Sequence, residues 1–272
     1  MGERIFHRHL PNADRLSVLA AIIILVYALA RFIDLPSREF AAQLPGVYIN
    51  LLLDENTLVA LFVAGLTASG ADWLLRDHPV LQGRSSVQHI ILPALTAIAI
   101  GLPLNRLPFG AVWWVGLALG AGTLVLVLVG EYIALDTEDL RQPLAAAGLS
   151  AVSFTLFLVL MVAVRDAGVR LFIVLPLVSI ATWLVSLRVM QLRLHGIWTV
   201  YEAAIIAFIL AQLAAALHYL PLSSVGFGLA VLGPTYALTS LMVGLIEGKP
   251  AKGILFEPIL VWIATWGAAL LV

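Results

Sequence analysis

Cysteine is absent from this sequence, and the absence excludes several kinds of chemistry. A chain without cysteine has no disulfide, no thiolate nucleophile and no metal or iron–sulfur site with cysteine ligands. Charge is also scarce, since Asp, Glu, Lys and Arg make up 11% of the residues and the formal net charge is −1. Because the 15 Lys and Arg residues are scattered through connecting segments, nucleic acid is not an expected partner.

The apolar segments lack ionisable side chains near their centres. A proton pump or proton-relay transporter needs such groups along its path, and a retinal protein needs an internal Lys. His89 and His218 lie near segment ends, where we expect them to face the membrane interface rather than to ligate haem. The P-loop, HExxH and GxSxG motifs are missing. We therefore predict no cofactor and no intrinsic catalysis.

Long apolar runs are what the sequence has in abundance. Hydrophobic residues make up 62% of the 272 residues, and the mean hydropathy is +1.04. The runs are roughly 18 to 25 residues long, and a helix of that length crosses the hydrocarbon core of a bilayer. The sequence therefore predicts an all-α fold, a polytopic transmembrane helical bundle.

The runs predict about nine spans, within a range of roughly eight to ten. Their expected bounds are 16–35, 56–75, 87–104, 109–135, 144–164, 169–189, 197–219, 225–246 and 254–272. The first run also resembles a signal peptide with Ala28-Leu29-Ala30 as a cleavage site. We favour a retained span, because the apolar stretch continues to Leu35.

The connections are too short to hold a soluble domain, so residues 1–272 are predicted to form a single integral membrane domain. The longest connection runs from about Pro36 to Glu55. Within it, we expect residues 48–53 to form a short interfacial helix before Asp54 caps the second span.

The distribution of basic residues predicts the orientation, since cytoplasmic connections are richer in Lys and Arg. With a cytoplasmic N-terminus, ten of the 15 basic residues are cytoplasmic and five are outside, namely Arg31, Arg38, Arg106, Arg165 and Arg170. We therefore expect a cytoplasmic N-terminus, an outer C-terminus and a multi-pass protein, bacterial in style, in the cytoplasmic membrane.

Polar side chains concentrate at the predicted cytoplasmic rim, where they are candidates for binding a ligand or a lipid headgroup. The candidates are Asp72, Glu131, Arg188, Arg193 and Glu202. A carboxylate at the edge of an apolar run is costly unless it is paired, and arginine grips phosphate. The alternative is a rim of structural ion pairs, in which the helix dipole stabilises Glu202. Asp72 and Glu131 then need a partner such as Arg76, Arg141 or Arg188.

Four acidic residues near the end of the fourth span are candidate metal ligands. They are Glu131, Asp136, Glu138 and Asp139, whose oxygens suit a divalent cation. The alternative is that Asp136 or Asp139 caps the start of the fifth span.

A proline in the eighth span suggests a transport path. Proline removes a helical hydrogen bond, and an unwound segment with hydroxyl groups can line a substrate site. The candidate residues are Gln212, Pro234, Thr235 and Tyr236. The alternative is an ordinary proline kink in which neighbouring hydroxyl groups bond back to the helix.

These patterns favour an accessory, assembly or lipid-interacting membrane protein whose polar rim contacts lipid headgroups or a partner. Membrane lipids and other membrane subunits are the expected partners. One alternative is a transporter for a small neutral or lipophilic substrate. Another is a membrane-embedded enzyme acting on a lipid phosphate at the cytoplasmic face, with the rim acids binding metal and the arginines binding phosphate.

Overall fold

The computed structural model describes residues 11–32, 38–44, 47–53, 55–76, 78–81, 86–136 and 138–272. Eight long apolar helices lie within these residues. They are α1 (Ala13–Ala30), α2 (Glu55–Leu75), α3 (Val87–Leu104), α4 (Ala111–Ala134), α5 (Gln142–Asp166), α6 (Leu171–Arg193), α7 (Val200–His218) and α8 (Ser224–Ile246). Each is long and apolar enough to cross a membrane. The prediction of a polytopic helical bundle is confirmed, and the chain is a multi-pass membrane protein.

The ninth predicted span corresponds to two shorter helices. A one-turn helix, α9 (Ala251–Ile254), leads into α10 (Phe256–Leu271), which has 16 residues. A helix of that length extends about 24 Å, somewhat less than the thickness of the hydrocarbon core. The predicted orientation of the termini stays a prediction.

The predicted interfacial helix at residues 48–53 is wrong. Strand β1 (Arg38–Leu44) pairs antiparallel with strand β2 (Val47–Leu53), with Arg38 opposite Leu53 and Leu44 opposite Val47. The run Val47-Tyr48-Ile49 is rich in β-branched and aromatic residues, which favour strands, and Pro45-Gly46 is a turn signal in the sequence. The predicted cap at Asp54 lies outside the described residues.

The contacts divide the chain into two compact units, which we treat separately as the N-terminal unit (His9–Tyr132) and the C-terminal unit (Ile133–Val272). The expectation of a single membrane domain stays a prediction. The N-terminal unit contains α1 to α3 and α4 up to Tyr132. Its core includes Ile23, Val63 and Trp113.

In the C-terminal unit, α8 is the central helix, in contact with α5, α6, α7 and α10. Phe157, Leu210 and Phe227 are completely buried there. A hydrogen bond of 2.9 Å from Trp266 Nε1 to the Ala230 carbonyl fixes α10 on α8. Arg165 at the end of α5 donates to the carbonyl oxygens of His218 and Leu220, each at 3.0 Å. These bonds satisfy carbonyls that the end of α7 leaves free.

Candidate functional site

A groove of about 520 Å³ opens in the C-terminal unit where α5 begins and where α6 and α8 end. One part of its lining is polar or charged: Gln142, Ser150, Arg193, His195, Tyr236, Glu247 and Lys249. The other part is apolar: Pro143, Ala146, Ala147, Ala151, Phe154, Leu192 and Val243. The groove therefore has the mixed character of a site for an amphiphilic molecule.

Arg193 is the central basic residue of the groove. It lies in the last turn of α6, where the negative end of the helix dipole favours a cation. Its side chain is half-buried and reaches α8, where Nη1 donates to Ser240 Oγ at 3.0 Å. The guanidinium carbon lies 5.9 Å from the centroid of the Tyr236 ring, within range of a cation–π contact.

No carboxylate within the described ranges forms an ion pair with Arg193. A half-buried guanidinium is less screened by solvent than an exposed one. Arg193 therefore contributes an unneutralised positive charge to the groove.

Tyr236 forms one wall of the groove and connects it to α10. Its hydroxyl donates to Oε1 of Glu257, which lies in the first turn of α10. Its ring makes an edge contact with Phe154 on α5, with the ring centroids 5.2 Å apart. These contacts hold the aromatic ring between α5 and α8, next to Arg193.

Lys249 and Glu247 form an ion pair at the end of α8. Their charged atoms lie 2.6 Å apart, with side-chain exposures of 59% and 32% respectively. A pair this exposed adds little stability, because water screens it and ordering both side chains costs entropy. It does make the two charges cancel at this side of the groove.

The start of α5 borders the groove without a side-chain cap. The N-cap residue is Arg141, which makes no capping hydrogen bond, so the prediction that Asp136 or Asp139 caps this helix is wrong. The Asp139 carboxylate instead accepts bonds from the Arg141 backbone N–H at 2.8 Å and from Arg141 Nη2 at 2.7 Å. Asp136 similarly accepts from the Glu138 N–H at 3.0 Å. These short-range bonds organise the turn before the helix, and the Asp139 hydrogen bond raises the pKa of Arg141.

Of the five predicted headgroup residues, Arg193 lines the groove. Arg188 lies deeper in α6, is 1% exposed and donates to Gln191 Oε1 at 3.0 Å. Glu202 lies in the first turn of α7, where the helix dipole favours an acid, as the structural alternative predicts. Asp72 and Glu131 belong to the N-terminal unit.

Asp72 is held by two neighbours in the N-terminal unit. Arg76 Nη2 lies 2.6 Å from its carboxylate, and Ser86 donates its hydroxyl to the same group. Arg76 is one of the partners that the sequence predicts for this acid. Asp72 therefore forms a structural ion pair, as the alternative interpretation of the polar rim predicts.

Glu131 is completely buried and contacts a residue that the sequence analysis assigned to another role. His89 Nδ1 lies 2.9 Å from Glu131 Oε2, and His89 is 5% exposed. The expectation that His89 faces the interface is therefore wrong, because an imidazole offers a buried carboxylate the partner that it needs. The sequence gives one indication of this contact: His89 lies in the first turn of α3 and Glu131 in the last turn of α4, and antiparallel neighbouring helices bring these two turns to the same level.

The candidate metal ligands are not assembled into one site. Among the residues that the structure describes, no group of three or more histidine, aspartate or glutamate side chains is placed to hold a metal ion. Glu131 contacts His89, Asp139 contacts Arg141, and Asp136 accepts a backbone bond.

The candidate transport residues lie on two helices, α7 and α8, and one of them lines the groove. Helix α8 continues without a break through Pro234, and Thr235 donates back to the Val231 carbonyl at 2.8 Å. This hydrogen bond agrees with the alternative interpretation, in which hydroxyl groups next to the proline bond back to the helix. Tyr236 lines the groove, whereas the Gln212 side chain is exposed on α7.

Hydroxyl groups of α6 and α8 form a contact that the sequence does not predict. Ser186 and Thr239 are hydrogen-bonded at 3.1 Å, and Thr182, one turn before Ser186, is buried with no partner for its hydroxyl within the described residues. One feature of the sequence does indicate this arrangement: Thr182 and Ser186 are four residues apart, which places both on one helix face.

A family model described as "Protein of unknown function (DUF5656)" matches residues 35–272. The match includes every residue that lines the groove. No curated protein and no solved structure matches the chain.

Proposed function

The chain belongs to the DUF5656 family of proteins of unknown function, and from this premise we propose that it is a lipid-binding accessory protein of the cytoplasmic membrane. In this proposal the protein has no catalytic role, and its groove holds one membrane lipid. The observation that carries the proposal is the half-buried Arg193, which has no carboxylate partner in the described part of the chain and borders an apolar wall.

The shape of the lining supports a lipid rather than a water-soluble ligand. Ala146, Ala147 and Ala151 have small side chains, so the face of α5 is shallow and apolar. The acyl chains of a lipid can pack against this apolar face, while the basic end of the groove interacts with the polar headgroup.

Transport is a second candidate function, and one observation favours it. A row of polar groups lies on the face of α6 that meets α8. It consists of the Ser186–Thr239 pair and the buried Thr182 hydroxyl, which has no partner within the described residues. A buried unsatisfied hydroxyl is costly, so it marks a place where a water molecule or a polar solute gains hydrogen bonds.

The experiment that tests lipid binding fills the groove with a bulky side chain. Ala147→Trp places an indole in the groove, and Leu144→Trp places the same ring on the same helix at a position that is 78% exposed and does not line the groove. Native mass spectrometry of the purified proteins counts the lipid molecules that remain bound.

We expect the wild type and Leu144→Trp to retain one lipid per chain, and Ala147→Trp to lose it. Equal retention by both tryptophan variants contradicts the proposal. If Thr182→Val abolishes uptake of a small polar solute into proteoliposomes while lipid retention is unchanged in all variants, the transport function replaces it.

A further inference from the structure

We infer that the groove selects a glycerophospholipid whose headgroup carries a single net negative charge, with Arg193 as the ligand of its phosphate. This inference rests on the proposed function, because it names the class of lipid that the groove binds. It is carried by the charges that line the groove and by the way in which each is already paired.

The charged lining sums to one positive charge. Arg193 and Lys249 are cationic, Glu247 is anionic and His195 is exposed. The Lys249–Glu247 contact of 2.6 Å cancels one charge of each sign. Histidine counts as neutral in the formal charge of this chain, so the charge of Arg193 remains, and a monoanion matches it.

The donors of Arg193 are suited to a phosphate. A guanidinium has five N–H donors in a planar fork and binds phosphate oxygens through two parallel hydrogen bonds. The hydrogen bond to Ser240 uses Nη1 and holds the side chain against α8. The remaining donors are available to a ligand, since no other hydrogen bond or ion pair of Arg193 occurs within the described residues.

Glu257 lies near this site and does not neutralise it. Its carboxylate accepts the hydroxyl hydrogen of Tyr236 and forms no ion pair with Arg193. Glu257 therefore positions the aromatic wall, and the charge of Arg193 stays available to the headgroup.

Other headgroups fit this lining less well. A zwitterionic headgroup carries no net charge, so it leaves the positive charge of the lining unneutralised. A phosphomonoester brings a second negative charge, which finds a cation only if Lys249 leaves Glu247. Because this pair is exposed and weak, the discrimination comes from the net charge of the lining: the monoanion neutralises it, whereas a phosphomonoester leaves one negative charge in excess.

The test is a competition among lipids, read by native mass spectrometry. Delipidated protein is mixed with phosphatidylglycerol, phosphatidylcholine and phosphatidic acid of the same acyl composition, and the bound fraction of each lipid is measured. We expect the wild type to prefer phosphatidylglycerol.

Arg193→Gln is expected to weaken phosphatidylglycerol binding roughly ten- to hundredfold, the range for loss of a hydrogen bond to a charged group. It is also expected to reduce the preference for phosphatidylglycerol over phosphatidylcholine, because the lining then has no net charge. Arg193→Lys, which keeps the charge and loses the fork, is expected to restore part of it. Arg170→Gln is the matched control, because Arg170 is an exposed arginine at the opposite end of α6, and it is expected to leave the preference unchanged.

Glu247→Gln is expected to shift the preference toward phosphatidic acid, because it releases Lys249 to meet a second negative charge. An unchanged preference for phosphatidylglycerol in Arg193→Gln overturns the inference. If Ala147→Trp still loses its lipid in that case, the proposed function stands; if it does not, both fail. Displacement of phosphatidylglycerol by excess inorganic phosphate also overturns the inference, since it assigns the site to the free anion.

Discussion

His89 and Glu131 connect the first turn of α3 to the last turn of α4 through a contact of 2.9 Å between Nδ1 and Oε2. Glu131 is 0% exposed and His89 is 5% exposed, so this contact lies inside the N-terminal unit. The Gln88 side-chain nitrogen lies 3.1 Å from Nε2 of the same imidazole. The unit thus keeps a carboxylate in an apolar environment by giving it a polar neighbour.

Removing the imidazole is expected to destabilise the N-terminal unit. His89→Ala takes a buried partner from Glu131, and breaking a buried pair of this kind costs about 3 kcal/mol. Unfolding in detergent, followed by circular dichroism, measures the loss. A double-mutant cycle with Glu131→Gln supplies the control, and we expect the double variant to be less destabilised than the sum of the single variants. Additive losses contradict a direct interaction.

The hydroxyl of Tyr27 is expected to stabilise the packing of α1 against α3. It donates to the carbonyl oxygen of Ala97 in a buried contact. Tyr27→Phe removes this hydrogen bond, and we expect a loss of about 1 kcal/mol in the free energy of unfolding. Tyr219→Phe is the control, because Tyr219 is 77% exposed, and its effect is expected to be close to zero. Equal effects of the two substitutions contradict this role for Tyr27.

Gly233 is expected to be required for the close packing of α8 and α10. A Cβ atom at this position lies 1.9 Å from Thr265 Oγ1 and 3.3 Å from the backbone Cα of Trp262. We expect Gly233→Ala to destabilise the C-terminal unit by about 1–3 kcal/mol, the usual range for overpacking.

The control for Gly233 is Gly148→Ala in α5, where an added Cβ atom meets nothing within 4 Å. Because alanine favours a helix over glycine by about 1 kcal/mol, this variant is expected to be neutral or more stable. Thermal unfolding of both variants in the same detergent compares them. If Gly233→Ala is as stable as Gly148→Ala, the close approach of α10 is not required.

The sequence predicts the helices well, because the cost of burying an unpaired backbone in lipid makes each long apolar run a helix. The third predicted span has the same bounds as α3, Val87–Leu104, and the eighth, 225–246, differs from α8 by one residue. The sequence does not predict the hairpin of β1 and β2, because its apolar residues are compatible with either a helix or a strand.

The groove and the His89–Glu131 contact could not be predicted, because they depend on which helix faces meet. In a soluble helix the apolar stripe marks the inner face. In these helices lipid-facing and protein-facing positions are both apolar, so hydrophobicity does not distinguish them. Arg193 is predicted as an arginine at the polar rim that can bind phosphate. Its contacts with Ser240 and Tyr236 could not be predicted, because they depend on how α6 packs on α8.

The most direct test of lipid binding is an electron cryomicroscopy map of the protein in nanodiscs that contain phosphatidylglycerol. The account predicts elongated density along Ala147 and Ala151, ending in a phosphate within about 3 Å of the Arg193 guanidinium nitrogens. An empty groove, or a groove occupied by a helix of a second copy, contradicts it.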